Sequence, residues 1–124
     1  MTRGFRGATT VEENTANEIL QATKELMMEM IAQNRIQPEQ VSHVFFSVSP
    51  ELNAAFPAKA ARELPGWAHV PVMCMQEINV PNSLPNCIRI MLVATTELEQ
   101  DQIQHVFLKK AIQLRPDLTK GEGE

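Results

Sequence analysis

The sequence predicts an α+β (α/β-like) domain in which a mixed sheet of about five strands carries one long and one short helix on one face. An apolar stripe at helical spacing, a shorter helical segment and five short apolar runs predict this class, in the order β-α-β-α-β-β-β. The chain has 124 residues, the usual size of one domain. We expect one domain over residues 1–118 and a disordered tail over residues 119–124.

The long helix has the clearest pattern. Thr15 followed by Glu18 has the form of a capping box, which predicts the first turn. The helix should end near Asn34, and Pro38 suits the first turn of a short helical connection. The side chains that repeat on one face are Ile19, Leu20, Thr23, Leu26, Met27, Met30 and Ile31. This stripe predicts a face packed in the core rather than a cofactor site.

The other elements follow from short runs between turn residues. Strands are predicted over residues 2–8 and 41–48, and a short helix over 56–64 with Pro57 in its first turn and Pro65-Gly66 after it. A third strand covers 70–75 and a fourth covers 87–94. A fifth covers 104–108, and a helical turn follows at 109–114.

One face of this sheet has no predicted cover. The helices account for one face, yet the second to fourth strands are apolar on both faces. Contact with further subunits would bury the second face, so we predict a closed homo-oligomer.

Composition excludes several classes of function. Hydrophobic residues make up 44% of the chain and charged residues 21%, and the net charge of −4 argues against nucleic acid as the main partner. No apolar run reaches membrane-spanning length and no signal-peptide core is present, so we expect no membrane partner. Cys74, Cys87 and the three scattered histidines lack metal-ligand spacing, so we expect no metal, no disulfide and a reducing cytoplasm.

Arg89 is out of place in its apolar strand. A guanidinium cannot be neutralised, so its burial is costly unless an anion meets it. That anion is either a protein carboxylate, with Glu77 the candidate, or a carboxylate of a ligand. The other candidate cations are Arg6, Lys59, Arg62 and Arg115. They predict a pocket for a small molecule with several carboxylates, or else they are solvated surface charges around a structural Arg89–Glu77 pair.

Five segments together resemble one family: RGFRGATTVE at residues 3–12, FPAKAAREL at 56–64, VPVMCMQE at 70–77, CIR at 87–89 and LRPD at 114–117. They are similar to the trimeric class of chorismate mutase, which is built as a pseudo-α/β-barrel trimer and is unrelated to the all-helical class. The resemblance spans residues 3–118.

The resemblance implies a Claisen-type [3,3] rearrangement of chorismate to prephenate, at the branch toward phenylalanine and tyrosine. It implies three active sites per homotrimer, each between adjacent subunits, and no cofactor. A pericyclic step needs no nucleophile, general acid or metal, which agrees with the absence of phosphate loops, nucleophile elbows and paired catalytic carboxylates from the sequence. The length suggests a monofunctional enzyme with no fused dehydratase or dehydrogenase domain.

Residue roles carry over from the matching motifs. The resemblance implies that Arg89 faces the ether oxygen of the breaking bond and that Arg6 holds a substrate carboxylate. It implies that Glu77 and either the backbone or the thiol of Cys74 bind the ring hydroxyl. The remaining implied substrate-binding residues are Phe56 and Lys59 at the wall and entrance, Arg62 and Arg115 at the mouth, and Ala58, Met73, Phe107 and Leu114.

Two positions fit this scheme poorly. Cys74 and Glu77 are three residues apart, so an ideal strand sends their side chains to opposite faces. Phe107 stands where the family usually has Tyr, and it lacks the hydroxyl that would assist a substrate carboxylate. We therefore expect a modestly higher KM with catalysis retained.

Two other functions remain open at this point. A trimeric sensor could bind an aromatic-pathway dicarboxylate without turnover, although sensing would not require charges of both signs from Arg6, Glu77 and Arg89. A purely structural oligomer with internal Arg–Glu pairs would bind no ligand at all.

Overall fold

The computed structural model describes residues 1–115 and contains the predicted elements in the predicted order. The strands are β1 (Thr2–Thr10), β2 (Val41–Val48), β3 (Val72–Gln76), β4 (Cys87–Thr95) and β5 (Val106–Phe107), and the helices are α1 (Ala16–Asn34) and α2 (Ala58–Arg62). Short 3-10 helices cover Pro38–Gln40, Gln100–Gln102 and Lys109–Leu114. β1 is longer than predicted, and α2 and β5 are shorter. The predicted tail over residues 119–124 lies outside the described residues.

The five strands form one mixed sheet in the order β3-β2-β4-β1-β5. β4 is antiparallel to both β1 and β2, whereas β3 runs parallel to β2 and β5 runs parallel to β1. Both parallel connections pass through a helix or a long crossover, as parallel strands require. The register places Arg89 between Ser47 of β2 and Ala8 of β1, with Phe107 beyond Ala8.

Both helices lie on one face of the sheet, which confirms the predicted layers. Every apolar residue of the α1 stripe is buried or partly buried, and Leu26, Met27 and Met30 are fully buried among core residues of the sheet such as Phe5 and Phe46. α1 approaches β1 closely at Gly7, where an added Cβ would collide with the Met30 sulfur and force that side chain to shift.

The cap of α1 differs from the predicted one. Thr15 Oγ1 accepts the main-chain N–H of Glu18 at 3.2 Å, as predicted. The Glu18 carboxylate, however, accepts the N–H groups of Glu12 and Glu13 at 3.0 and 3.2 Å. Glu18 therefore holds the end of the β1–α1 connection instead of completing a capping box.

The second face of the sheet is apolar and exposed. In β4, residues 88, 90, 92 and 94 are buried beneath the helices, whereas Arg89 and Met91 point to the other face. Phe45, Met75 and Met91 are 39–41% exposed there. A single chain therefore leaves the second face of the Arg89 strand uncovered, and the burial of that face by further subunits stays a prediction. None of the helices within residues 1–115 combines the length and apolarity needed to cross a bilayer.

Thr9 gives a test of the helix–sheet interface. Its Oγ1 is buried and lacks a hydrogen-bond partner among the described residues. Thr9→Val keeps the shape and removes an unsatisfied hydroxyl, so we expect the free energy of unfolding to rise by about 1 kcal/mol. Urea denaturation at a fixed chain concentration measures this change.

Thr23→Val is the matched control for that experiment. Thr23 is equally buried, but its Oγ1 donates to the Ile19 carbonyl at 2.7 Å, so the same substitution there removes a bond that is made. A loss of stability in Thr9→Val would contradict the assignment of Thr9 as unsatisfied.

Candidate active site

Arg89 pairs with Glu77 within one chain. Its Nε lies 3.0 Å from Glu77 Oε2, and the two side chains are 22% and 35% exposed. Glu77 follows β3 directly, and its N–H donates to the Val48 carbonyl at 2.8 Å, which extends the ladder by one residue. The protein carboxylate anticipated for Arg89 is thus present, and it orients the guanidinium on the open face of the sheet.

Arg6 shares a cleft with this ion pair. The cleft has a volume of about 890 Å³, and its walls include Arg6, Glu77 and Arg89, with Ser47 and Met91 beside them. β4 lies between β1 and β2, and this strand order brings the two arginines together although they are 83 positions apart in the sequence.

Phe107 supports the Arg6 side chain from the neighbouring strand. The guanidinium carbon of Arg6 lies 5.6 Å from the centre of the Phe107 ring, which is a cation–π contact. Phe107 and Arg115 line an adjoining cleft of about 460 Å³, and Leu114 packs on the cluster that contains Phe107. We call these six residues the open-face group: Arg6, Glu77, Arg89, Phe107, Leu114 and Arg115.

The other six predicted residues lie in a different cleft. This cleft has a volume of about 620 Å³ and is lined by what we call the helix-side group: Phe56, Ala58, Lys59, Arg62, Met73 and Cys74. Lys59 and Arg62 are exposed on the same side of α2, as their spacing predicts. Phe56 precedes α2 and is 77% exposed, although it is a large aromatic side chain.

A single chain does not bring the two groups together. Cys74 lies in the helix-side cleft and Glu77 in the open-face cleft, because the two-residue period of β3 sends them to opposite faces. The two side chains of one chain therefore do not line the same cleft, and their shared contact with a ring hydroxyl stays a prediction. Each chain presents two separate clefts.

The chemistry of the open-face group is electrostatic. Burial raises the pKa of the adjacent Cys87 thiol, and the nearby Arg89 guanidinium only partly opposes this, so the thiol remains protonated. Within residues 1–115 no group of three or more His, Cys, Asp or Glu side chains is placed to bind a metal ion. The group can hold anions and place charges of both signs around a ligand.

Several contributors were missed in the sequence. Ser47 and Met91 line the same cleft as Arg89, and only the strand order places them there. His105 also lies beside the site, where its Nδ1 accepts the main-chain N–H of Arg6 at 3.0 Å. Nothing in the sequence motifs indicates a contact across 99 positions.

Comparison with known proteins identifies the family. Residues 2–118 match the family model described as chorismate mutase type I. The chain is 54% identical to chorismate mutase AroH of Bacillus subtilis (strain 168) over 119 residues, which covers 96% of this chain and 94% of that protein. It is 46% identical to chorismate mutase AroH of Thermus thermophilus over 123 residues, covering 98% and 100%.

A solved structure supports the same relationship. The chorismate mutase from Clostridium thermocellum matches the fold with a TM-score of 0.88 at 44% sequence identity, covering 90% of this chain and 99% of that one.

Proposed function

Since this chain belongs to the type I chorismate mutase family, we propose that it works as a closed homotrimer whose active sites form between neighbouring chains. The chain is a chorismate mutase, an isomerase of aromatic amino-acid biosynthesis that rearranges chorismate to prephenate. In the proposed site, the open-face group of one chain meets the helix-side group of the next. The separation of the two groups within one chain is the observation that carries this proposal.

The uncovered sheet face supports the trimer. Phe45, Met75 and Met91 form an apolar surface that a lone chain leaves in water, and its burial by neighbouring chains is favourable. A closed ring places the same two surfaces at each of three interfaces, so one contact generates three equivalent sites. Residues 1–118 then act as one domain per subunit.

In the proposed mechanism the open-face group stabilises developing charge. As the C–O bond of chorismate breaks, negative charge grows on the ether oxygen and positive charge spreads over the ring. Arg89 faces that oxygen, and Arg6 binds a substrate carboxylate. Glu77 accepts a hydrogen bond from the ring hydroxyl, and its negative charge stabilises the positive charge that develops on the ring. Fixed charges of this kind need no reorganisation during the reaction.

The helix-side group completes the enclosure. Lys59 and Arg62 attract the dianionic substrate to an otherwise acidic protein. Phe56 and Cys74 form the wall of the helix-side cleft. Together the two groups hold a flexible dianion in its reactive chair-like conformer, an orientational contribution to the rate.

The cytoplasm is the proposed compartment. Cys74 and Cys87 are both free thiols, as a reducing environment allows.

The first experiment measures chorismate disappearance by ultraviolet absorbance with purified protein and no added metal or cofactor. Light scattering coupled to size-exclusion chromatography determines the mass of the same sample. We expect saturable conversion to prephenate and a trimeric mass. Conversion by a monomer would overturn the shared site, and tight binding without turnover would favour the sensor.

Phe107→Tyr tests the departure from the family pattern. The added hydroxyl extends from a ring that lines the cleft beside Arg115, where it can donate to a substrate carboxylate. We expect KM to fall about two- to tenfold with kcat unchanged. An unchanged KM would contradict this, and Phe107→Leu, which removes the ring beneath Arg6, should raise KM instead.

A further inference from the structure

His105 makes an unusual hydrogen bond at the edge of the sheet. β5 pairs with β1 through only two residue pairs, Gly7 with Val106 and Ala8 with Phe107. The parallel ladder also includes the N–H of Leu108, which donates to the Ala8 carbonyl at 2.9 Å. By the two-residue period of that ladder, the acceptor for the N–H of Arg6 would be the carbonyl of Gln104.

The Gln104 carbonyl is instead hydrogen-bonded to Asn34. The buried Asn34 side chain, at the end of α1, donates to the Gln104 carbonyl and accepts the Gln104 N–H, each at 2.9 Å. Gln104 is thereby drawn toward α1, and the next residue fills the gap with its side chain. The Nδ1 atom of His105 accepts the N–H of Arg6 at 3.0 Å in place of a main-chain carbonyl.

We propose that His105 is a positioning residue for Arg6, because its neutral imidazole holds the β1 main chain from which the Arg6 guanidinium reaches the substrate. The inference rests on the substrate contact proposed for Arg6. Arg6 is in register with Met91 of β4, and its main-chain N–H is held by this imidazole. The Phe107 ring beneath the guanidinium belongs to the same edge strand, so a shift of β5 moves both supports of Arg6.

The bond requires one protonation state of the ring. An Nδ1 that accepts carries no proton, so the hydrogen is on Nε2. Burial lowers the pKa of His105 below its ordinary value of 6.5, which keeps the ring neutral near pH 7. Among the described residues, Gln33 of α1, Gln104 and Arg115 line the cleft beside the ring, and Arg6 of β1 donates its main-chain N–H to it.

Protonation would therefore turn an acceptor into a donor facing another donor. Because the pKa in the folded protein is lowered, this change occurs as the pH falls through a value below 6.5. We therefore expect the KM for chorismate to rise as the pH falls below this pKa. The kcat should change less, because Arg89 lies in β4 and does not take part in the hydrogen bond that His105 makes to β1.

Two substitutions separate the acceptor from the titration. The Oδ1 atom of His105→Asn stands where Nδ1 stood and accepts without titrating, so we expect a near-normal KM at pH 7 and no rise between about pH 7 and about pH 5. His105→Leu has no acceptor, so we expect about a tenfold higher KM at every pH, with kcat within about threefold of the unmodified enzyme. His69→Asn, at a histidine that lines none of the clefts of the site, is the control and should keep the acid-side rise.

The outcomes distinguish the inference from the function it rests on. Arg6→Ala, measured in parallel, must raise KM. If it does not, the substrate contact of Arg6 fails, and the positioning role fails with it. If Arg6→Ala raises KM but His105→Asn keeps the acid-side rise, His105 is not the positioning residue. Should His105→Leu fold poorly in a thermal melt, the pH profile of His105→Asn still decides.

Discussion

Arg89→Lys is expected to lower kcat about 100- to 1,000-fold while KM changes far less, because a fixed donor to the ether oxygen contributes about 3–4 kcal/mol to transition-state stabilisation. Lysine keeps the positive charge but loses the planar fork that Glu77 orients through the 3.0 Å contact at Nε. In the proposed site, substrate binding relies mainly on Arg6 and on the cations of the helix-side group, which this variant leaves in place.

This substitution discriminates between the two roles open to Arg89. If Arg89 served only as a structural partner for Glu77, a lysine ammonium would still meet that carboxylate and turnover would remain near normal. Initial-rate measurements of kcat and KM, with a thermal melt of each sample, distinguish these outcomes. Near-normal kcat in the folded variant would remove Arg89 from the mechanism.

Arg3→Lys supplies a matched control. Arg3 is also carried by the sheet and also pairs with a glutamate, with its Nη2 3.4 Å from Glu99 Oε2. It lies three residues before Arg6, the first residue of β1 that lines the open-face cleft, and it lines neither of the two clefts. Equal losses of activity in Arg3→Lys and Arg89→Lys would indicate a general effect on the sheet rather than on the reaction.

Patterns carried by a few neighbouring residues predicted the fold well. The apolar stripe and the Thr15 cap place α1, and the apolar run over residues 41–48 coincides with β2, because helical and strand periods are local properties. β5 is shorter than predicted for a reason outside its own sequence. Asn34, 70 positions away, holds Gln104 and keeps it out of the ladder.

The site was harder to predict because it depends on which strands are neighbours. The segments of the family motif contain the right residue types, but only the order β2-β4-β1-β5 puts Arg89 beside Ala8 and Arg6 beside Phe107. The three-residue spacing of Cys74 and Glu77 did predict correctly where their side chains lie. It indicates two faces, and the structure places the two side chains in two clefts.

Mixing two inactive variants should restore activity if each site is shared between chains. Arg89→Ala disables the open-face group, and the double variant Lys59→Ala/Arg62→Ala disables the helix-side group. In a ring, each interface takes the open-face group from one chain and the helix-side group from its neighbour. After random reassembly of equal amounts, about a quarter of the interfaces receive two intact groups.

The recovered activity therefore has a definite expected size. Coexpression, or unfolding and refolding of the mixed chains, should give about a quarter of the unmodified kcat/KM per site, whereas each variant alone stays far lower. Mixing without subunit exchange is the control and should recover nothing. If the exchanged mixture is no more active than the average of its two components, each chain contains a complete site, and the assembly of half-sites proposed for this enzyme is wrong.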